Sequence, residues 1–433
     1  MKNRRDKNPN GQTIDPVVEN GLCTGCGTCV GLCPQSAIKM VKNKRQGIYI
    51  PQLYKEKCNQ CGICLKACAG QSLDFNQLNR QIFGKLPEDN LAGNFLNCYT
   101  GYATNETVRY NSASGGLVTA LLISAREQGI INGALVTRMS KDRPLEPEPY
   151  IAATNDEIIA AAKSKYCPVP ANIAIRQILE KDGKYAVVGL PCHIQGIRKA
   201  EATNQTLSDR IVLHIGIFCS HTNTFPMTDF ILRRYKINKK DILSLNYRGE
   251  GWPGAMTIQM KNGTKRIIPL DDYSNYHQMG LFSPSRCGLC CDQFAELADV
   301  SMGDAWLPEI TSRDKIGTSV VVTRTPRGEE ICALAAKKGD IVLAPTDIKR
   351  IRQWSAGKKK RAQLRVRWLK LSGKKTPIFN GGLVNPGIPD YLTGTLFFFN
   401  RWLSAPSYLR WGVAPAVSIE QKAKRLLIRL RRH

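Results

Sequence analysis

Long apolar runs, histidine and acidic residues are all scarce in this chain of 433 residues. No stretch of about 18 uncharged apolar residues occurs, so the sequence predicts no membrane-spanning helix. The first eleven residues are basic and polar with no apolar segment behind them, which predicts a cytoplasmic protein without a secretory signal. No G-x-G-x-x-G motif follows a predicted strand, so a Rossmann dinucleotide site is not supported. The five histidines form no pattern, and we assign no catalytic residue.

Positive charge is the strongest bias in the composition. The chain has 62 Lys and Arg against 35 Asp and Glu, a formal net charge of +27, and only Asp390 and Glu420 are acidic among its last 80 positions. A field of this sign attracts acidic proteins, anionic lipid headgroups and polyanions. We therefore expect an acidic partner or a membrane surface at the basic C-terminus, although a solvated basic tail explains the charge equally well. Nucleic acid is the least expected partner, because no nucleic-acid fold signature accompanies the charge.

Two segments near the C-terminus are suited to contact with an acidic partner or a membrane surface. Residues 420–430 place alanine and leucine at helical spacing with Lys and Arg around them, which is typical of a helix on an acidic partner or at the periphery of a membrane. An amphipathic helix packed on the body of the protein explains this pattern equally well. Residues 391–403 add aromatic side chains that we expect to be exposed: Phe397, Phe398, Phe399 and Trp402.

Sixteen cysteines stand against this background. Without a secretory signal, that number favours reduced thiols and metal ligation over a disulfide framework. Eight of them form two similar blocks: Cys23, Cys26, Cys29 and Cys33, then Cys58, Cys61, Cys64 and Cys68. The spacing C-x2-C-x2-C-x3-C is that of bacterial ferredoxins, in which three thiolates of a block hold one [4Fe–4S] cluster and the fourth ligates the other cluster.

This spacing assigns the ligands of two clusters. One set is Cys23, Cys26, Cys29 and Cys68, and the other is Cys58, Cys61, Cys64 and Cys33. Zinc is the competing interpretation, but zinc sites normally use paired C-x2-C knuckles rather than two blocks of four cysteines. Ala69 stands where block one has Pro34, a change that loosens the exit of the loop and leaves ligation intact. We therefore predict an electron-transfer module in residues 21–86.

Residues 98–330 alternate helix-like and strand-like patterns. The apolar run 117–124 predicts a buried helix, and residues 133–137 predict a strand. Residues 185–189 and 211–218 are near-continuous apolar runs, which are typical of strands buried on both faces of a parallel sheet. The sequence therefore predicts an α/β domain with crossover connections.

The two ends of the chain are expected to be less ordered than this body. We expect residues 1–20 to form a mobile basic arm and residues 331–433 to form a basic, less regular C-terminal region. Within that region, the basic run from Lys358 to Arg361 and the pair Gly381-Gly382 are predicted to be linker or surface stretches.

Four further cysteines are candidates for a third site. Cys192 and Cys219 follow the two apolar strands, so we expect both at the carboxyl edge of the sheet, where open α/β folds keep their ligand sites. Cys287 and Cys290 form a C-x2-C pair on a glycine-containing turn. Together the four could hold a third [4Fe–4S] cluster, although spacing alone leaves separate buried thiols as an equal alternative. The other cysteines are predicted to be non-ligating: Cys98, Cys167, Cys291 and Cys332.

Several short motifs occur in order along the chain. They are Ser112–Gly116 (SASGG), Lys165-Tyr166, Gly189–Cys192 (GLPC), Phe218-Cys219, the Cys287/Cys290 pair with Asp292, and Ala298–Trp306 (ADVSMGDAW). In this order they resemble the family of coenzyme F420 hydrogenase/dehydrogenase beta subunits, here preceded by a two-cluster ferredoxin domain. The resemblance covers about residues 20–330 and adds little beyond them.

The resemblance implies a flavoprotein in which FAD lies beside a [4Fe–4S] cluster. It favours a third cluster on the four cysteines of the body, and it suggests that five residues lie near the flavin: Ser112, Ser114, Gly115, Gly116 and Lys165. The loop 112–116 leads into a helix whose N-terminal amides would favour a pyrophosphate. Without the resemblance, the residues themselves favour simpler interpretations. The loop is then an ordinary helix start, and Lys165 is a surface lysine.

The expected fold is an α+β ferredoxin-like two-cluster domain followed by an α/β flavin-binding domain. The implied function is an iron–sulfur flavoprotein oxidoreductase that passes electrons between the clusters and FAD to a hydride-accepting substrate such as coenzyme F420. Its partner is then a redox protein or a hydride-accepting small molecule. The alternative is an accessory electron-transfer subunit that docks to a partner enzyme, for example one in glycan modification. Neither the acceptor nor the direction of electron flow follows from the sequence.

Overall fold

The computed structural model describes residues 13–278 and 280–403. Its strands are β1 (Ile38–Asn43), β2 (Ile48–Leu53), β3 (Ser72–Asp74), β4 (Asn97–Ala103), β5 (Gly133–Met139), β6 (Pro147–Ala152), β7 (Tyr185–Gly189), β8 (Ile211–Ile217), β9 (Ile242–Asn246), β10 (Ala255–Met260), β11 (Lys265–Pro269), β12 (Val300–Asp304), β13 (Ser319–Thr323), β14 (Ile341–Pro345) and β15 (Ile378–Asn380).

The helices alternate with these strands. They are α1 (Asp15–Glu19), α2 (Thr28–Leu32), α3 (Ile63–Lys66), α4 (Phe75–Phe83), α5 (Glu106–Tyr110), α6 (Leu117–Glu127), α7 (Asn155–Ala160), α8 (Ile175–Glu180), α9 (Pro191–Glu201), α10 (Gln205–Arg210), α11 (Phe225–Arg234), α12 (Leu270–Gln278), α13 (Pro308–Thr311), α14 (Pro326–Lys338), α15 (Gln353–Leu371) and α16 (Ile388–Leu403).

A mixed eight-stranded sheet forms the centre of the body, in the order β14-β4-β13-β12-β8-β7-β5-β6. The central strands β5, β7, β8 and β12 are parallel, and the outer strands pair antiparallel. β7 and β8 are apolar along almost their whole length because a hydrophobic core lies on each side of the sheet. The predicted α/β body is therefore confirmed, and the sheet continues past residue 330, because β14 pairs with β4.

A smaller antiparallel sheet, β11-β10-β9, is inserted between β8 and β12. Its buried Leu245, Met256 and Ile258 pack in one core with side chains of α11 and α12, including Phe230 and Tyr273. Sequence analysis did not predict this unit. It supplies the segment just after β9 that later contacts the loop before α6.

The cysteine-rich N-terminal region packs against the body. β1 and β2 form an antiparallel hairpin, and α2 and α3 lie at equivalent positions within the two cysteine blocks. Residues 1–12 of the expected mobile arm lie outside the described residues. From Asp15 to Glu19 the chain is helical instead, because Ile14 and Val17 bury their side chains in the core of this region.

The C-terminal region is also part of the fold. β15 pairs in parallel with β3 of the cysteine-rich region, and α15 lies against the turn that carries Cys287. The basic run 358–361 is therefore helical rather than a linker, and Lys358 and Lys359 are buried. Phe398 of α16 is buried, whereas Phe399 and Trp402 are exposed as expected. The amphipathic pattern at residues 420–430 lies outside the described residues.

Candidate functional site

The two cysteine blocks adopt matching local structures. In each block the third cysteine lies in a short helix, Cys29 in α2 and Cys64 in α3. A glycine in the left-handed conformation precedes each helix, Gly27 with φ +86° and Gly62 with φ +74°. A glycine adopts this conformation at little cost, which lets the backbone turn tightly around the thiols. The sequence repeat is therefore a structural repeat.

The fourth cysteine of each block lies near the first three of the other block. Burial, with a smaller contribution from the neighbouring thiols of Cys26 and Cys68, raises the pKa of Cys23 to about 12, and the same three thiols act on Cys29. Burial likewise raises the pKa of Cys64 to about 12, with added repulsion from the other three members of its set. That second set lines one small cavity of about 20 Å³: Cys33, Cys58, Cys61 and Cys64. The structure thus brings together the two predicted sets of four.

The four candidate cysteines of the body also come together. Cys192 lies in the first turn of α9, directly after β7, and Cys219 follows β8, so both lie at the carboxyl edge of the parallel strands. Cys287 and Cys290 approach from the turn before β12. All four line one cavity of about 60 Å³. Burial raises the pKa of Cys192 well above its usual range, followed by repulsion from the other three and from Cys26.

The cavity of the body adjoins the first ferredoxin set. Cys23 lines the same cavity as Cys192, and Cys26 is the thiol that most strongly influences Cys192. The second set lines a cavity of its own, and its Cys64 acts on Cys29 of the first set. The three sets therefore form a row, with the Cys23 set in the middle.

All sixteen cysteines are free thiols. Cys98, Cys167 and Cys332 are buried in three different hydrophobic cores, as predicted. Cys291 is buried as well, although it also borders the cavity of the body. In residues 13–278 and 280–403, no three His, Cys, Asp or Glu side chains converge on a point suited to a single metal ion. The grouped thiols line the walls of cavities instead.

Two buried cations that the sequence analysis missed border the cavity of the body. Lys358 of α15 donates to the carbonyl oxygens of Cys219 (2.6 Å) and Asp292 (2.7 Å). Arg286 donates through Nε to the carbonyl oxygen of Leu22 at 2.9 Å, and so ties this cavity to the cysteine-rich region. Nothing in the local pattern of the basic run distinguishes Lys358 from its neighbours.

The loop Ser112–Gly116 is held by the protein's own backbone. Ser112 Oγ donates to the carbonyl oxygen of Val108, and Ser114 Oγ donates to that of Thr318 at 2.9 Å. A Cβ on Gly115 would lie 2.6 Å from the carbonyl oxygen of Gly101, so this glycine is required for packing. The side chains named in the sequence analysis are therefore already engaged. The amides at the start of α6 have no side-chain cap, since Gly116 occupies the N-cap position.

Lys165 is enclosed rather than at the surface. Its Nζ donates to the carbonyl oxygens of Ala161, Ala162 and Lys163, the latter two at 2.8 and 2.9 Å. The residue as a whole is half-buried, but its ammonium group is shielded from water. Burial lowers the pKa of Lys165 to about 7, a change that neighbouring Lys163 reinforces and Cys167 opposes. Near neutral pH this amine can therefore exist in either protonation state.

A chain of side chains joins the cavity to this loop. His221 borders the cavity and stacks on His277, which stacks on Tyr166 with ring centroids 5.3 Å apart. The hydroxyl of Tyr166 accepts from Nη1 of Arg248 at 2.9 Å, and Nη2 of Arg248 donates to the carbonyl oxygen of Ala113. Arg248 thus connects Tyr166, the neighbour of Lys165 in the chain, to the loop 112–116.

Arg248 is the charged centre of this connection. It is 1% exposed and pairs with Asp304, whose Oδ1 also accepts from Nε1 of Trp252 at 2.8 Å. Nε of Arg248 is a buried donor without a partner among the described residues. A buried donor beside uncapped helix amides is suited to an anionic or acceptor-rich group.

No described helix combines the length and the apolar character that a membrane crossing requires.

Family comparisons agree with this arrangement. Residues 22–72 match the 4Fe-4S dicluster domain. Residues 98–176 match the N-terminal model of the coenzyme F420 hydrogenase/dehydrogenase beta subunit, and residues 182–349 match its C-terminal model. The N-terminal ferredoxin-like domain and the mixed α/β body are thus assigned to known families.

Individual proteins show the same relationship. The chain is 30% identical to the beta subunit of coenzyme F420 hydrogenase in Methanothermobacter thermautotrophicus, over 66% of this chain and 99% of that protein. It is 26% identical to the beta subunit of coenzyme F420 hydrogenase in Methanosarcina barkeri, over 60% of this chain and 85% of that protein. A chain of the F420-reducing [NiFe] hydrogenase complex from Methanosarcina barkeri superposes with a TM-score of 0.53 at 25% identity, covering 69% of this chain and 99% of that one. The chain therefore belongs to the family of coenzyme F420 hydrogenase/dehydrogenase beta subunits, which are parts of oxidoreductases, and carries an N-terminal electron-transfer domain for [4Fe–4S] clusters.

Proposed function

We propose that this chain is an iron–sulfur flavoprotein that binds three [4Fe–4S] clusters and FAD and exchanges hydride with an acceptor such as coenzyme F420. The observation that supports this most is the row of three cysteine sets, in which the Cys23 set lies between the Cys64 set and the cavity of the body. Each set offers four neighbouring thiols, which is the donor set that a four-iron cluster requires, and two of the three sets line a cavity. When bound, such clusters exchange single electrons, whereas a flavin exchanges one or two.

The residues of the body have distinct tasks in this proposal. Cys192, Cys219, Cys287 and Cys290 hold the third cluster at the carboxyl edge of the sheet. The stacked rings of His221, His277 and Tyr166 exclude water from the region between the cysteines and the loop 112–116.

The FAD assignment rests on the region around Arg248. The uncapped amides of α6 and the unpaired Nε of Arg248 offer donors to a pyrophosphate or to a flavin carbonyl. Ser112 and Ser114 position the loop through their backbone contacts rather than by free hydroxyls. Lys165, with a pKa of about 7, can hold or release a proton beside a reduced flavin.

Coenzyme F420 is proposed as the acceptor because relatives are named for it. The hydrogenases of Methanothermobacter thermautotrophicus and Methanosarcina barkeri both carry its name. A deazaflavin accepts hydride, so no protein acid or base is needed for the transfer itself.

The first experiment is anaerobic purification with iron, sulfide and flavin counted per chain. About twelve irons, four for each cluster, together with one FAD would support the proposal. About eight irons and no flavin, even after FAD is supplied, would leave only the ferredoxin-like domain and overturn it. Reduction of coenzyme F420 by the loaded protein would then identify the acceptor.

A second candidate is an accessory subunit that docks to a partner enzyme. It is favoured by an apolar stripe on α16 that the described structure leaves exposed: Ile388, Leu392, Leu396, Phe399 and Trp402. These positions recur every three or four residues and so share one face of the helix. Large exposed apolar patches mark interaction sites. A protein that binds FAD and becomes fully reduced, yet turns over no deazaflavin until a partner is added, would favour this candidate.

A further inference from the structure

Helix α15 inserts a lysine into the cavity of the body. The helix begins at Gln353, beyond residue 349 where the match to the family ends. Lys358 is 4% exposed, and it lines the same cavity as Cys192, Cys219, Cys287 and Cys290. The C-terminal region of this chain therefore adds a charge to a site that the family portion builds.

The ammonium group of Lys358 is solvated by carbonyl groups rather than neutralised. Its two hydrogen-bond acceptors are the backbone oxygens of Cys219 and Asp292. The neighbouring lysines of α15 have carboxylate partners, Lys359 with Glu296 at 2.6 Å and Lys360 with Asp390 at 3.0 Å. In the described part of the chain, no carboxylate forms an ion pair with Lys358. The cavity that Lys358 lines instead presents the four cysteines of the body.

Burying an unpaired ammonium is costly, so the site must contain compensating negative charge. Within the cavity that Lys358 lines, the groups that can carry this charge are the four cysteines of the body. A four-cysteine cluster supplies that charge, because its ligands are deprotonated when they bind iron.

We propose that Lys358 sets the reduction potential of the third cluster by supplying a fixed buried positive charge. The inference rests on the proposed three-cluster function. One-electron reduction adds a negative charge to the group held by Cys192, Cys219, Cys287 and Cys290, and the nearby ammonium stabilises that reduced state. The electron comes from the cluster of the adjacent Cys23 set, which is oxidised by one electron, and no proton is transferred. Lys358 is thus a positioning charge that draws electrons from the ferredoxin-like domain into the body.

Arg286 does not share this role. It lies between the Cys23 set and Cys287, and it lowers the pKa of both Cys23 and Cys287. Because its charge acts on both neighbouring sets, it shifts their potentials together. Lys358 hydrogen-bonds to Cys219 and Asp292, on the side of the body, so its charge acts mainly on the third set and changes the difference between the two potentials.

The test is a redox titration of the anaerobically loaded full-length protein, followed by electron paramagnetic resonance. Lys358→Met removes the charge, Lys358→Gln removes the charge but keeps a donor, and Lys358→Arg keeps both. Lys360→Met is the matched control, since it removes the same charge from the same helix at a residue paired with Asp390. We expect the ratio of reduced to oxidised third cluster at a fixed potential to fall about tenfold in the Met and Gln variants. This corresponds to a downward shift of about 59 mV for one electron. Lys358→Arg and Lys360→Met should match the parent.

The outcomes separate this inference from the function on which it rests. A parent protein with about eight irons per chain would contradict the third cluster itself. A parent with about twelve irons whose third potential is unchanged in Lys358→Met would overturn only the role of Lys358. Loss of the third cluster from all three Lys358 variants, Arg included, would show that the side chain is needed for packing, and would also overturn the inference. If the Met and Gln variants lost the third cluster and Lys358→Arg retained it, the result would support a positive charge at this position as a requirement of the cluster.

Discussion

The imidazole rings of His221 and His277 stack with centroids 4.2 Å apart, and the ring Nε2 of His221 lies 2.6 Å from the backbone oxygen of His277. The two residues are 56 positions apart in the chain. Their stack connects the cavity that holds four cysteines to Tyr166 and the loop before α6. It forms a continuous series of contacting side chains between the candidate cluster site and the candidate flavin site.

His277 should make the protein sensitive to mild acid. Burial lowers the pKa of His277 to about 4, with a smaller contribution from the charge of Arg248. In the unfolded chain a histidine has a pKa of about 6.5. Between these values the unfolded state binds more protons, so stability is full above about pH 6.5 and is lost as pH falls toward 4.

The variant His277→Phe keeps a stacking ring and cannot be protonated. It loses the contact with Asn223, which lowers stability by a constant amount at every pH. We therefore expect the melting temperature of the variant to depend less steeply on pH between 6.5 and 4 than that of the parent. Thermal unfolding over that range measures both slopes. If the melting temperatures of parent and variant fell equally steeply with pH, the acid sensitivity would not arise from His277.

The crossed pairing of the cysteine blocks can be tested with serine variants. Cys23→Ser and Cys68→Ser should lose the same cluster, and Cys33→Ser and Cys64→Ser should lose the other one. Each loss should lower the iron content by about four atoms per chain. Electron paramagnetic resonance identifies which signal disappears. Cys98→Ala, a change at a buried thiol outside these sets, should leave every cluster in place. If Cys68→Ser instead removed the signal lost in Cys64→Ser, each block would ligate its own cluster.

Sequence analysis predicted the cysteine sets because their geometry is local. Thiols separated by two and three residues can surround a [4Fe–4S] cluster in only a few ways, and Gly27 and Gly62 supply the turns. The positions of Cys192 and Cys219 at the carboxyl edge of the sheet could be predicted equally well, since both residues follow apolar strands. Parallel strands that are buried on both faces have a pattern that is hard to confuse with another element.

The residues that were missed depend on partners far away in the chain. Lys358 and Lys359 belong to a basic run, and lysine is rarely buried, so a surface position was the reasonable prediction. What buries Lys359 is Glu296, which lies in a different segment and has a pKa raised by burial to about 7. Arg248 is likewise buried through Asp304, which no local spacing relates to it.

A buried histidine in the central sheet should contribute strongly to stability. His214 of β8 is 2% exposed and lies between Glu201 (2.7 Å) and Asp299 (3.0 Å). Burial and Arg198 lower its pKa, but the two carboxylates outweigh them, so the pKa of His214 is raised overall. Removing one member of a buried charged group leaves the others uncompensated. We expect His214→Gln to lower the free energy of unfolding by about 3–5 kcal/mol near pH 6.

The control is a surface pair. Lys85 and Glu88 are both largely exposed, so Lys85→Ala should lower the free energy of unfolding by less than about 1 kcal/mol.

The effect of His214→Gln should also depend on pH in a defined direction. Because the folded pKa is raised, the contribution of His214 is full below about pH 6.5 and declines as pH rises through the folded value. Chemical denaturation at several pH values measures the difference, and a gap between parent and variant that widened toward alkaline pH would be inconsistent with this account.

The position of the ferredoxin-like domain against the body depends on a close approach at Gly31. A Cβ at this residue of α2 would lie 2.4 Å from the backbone oxygen of Asn172 and 3.1 Å from Cβ of Ile175. Overpacking of this kind typically costs about 1–3 kcal/mol, because backbone rather than a flexible side chain must move. Gly31→Ala should therefore lower the melting temperature, and it should displace α2, with Cys29, from the body that holds Cys192. Electron transfer from the ferredoxin-like domain into the body should slow accordingly in stopped-flow reduction.

Gly387→Ala is the control, since the nearest contact of its added Cβ would be an ordinary 3.5 Å. Equal melting temperatures for the two variants would show that the domains can separate at this point without loss, and would remove the basis for a fixed row of three cysteine sets.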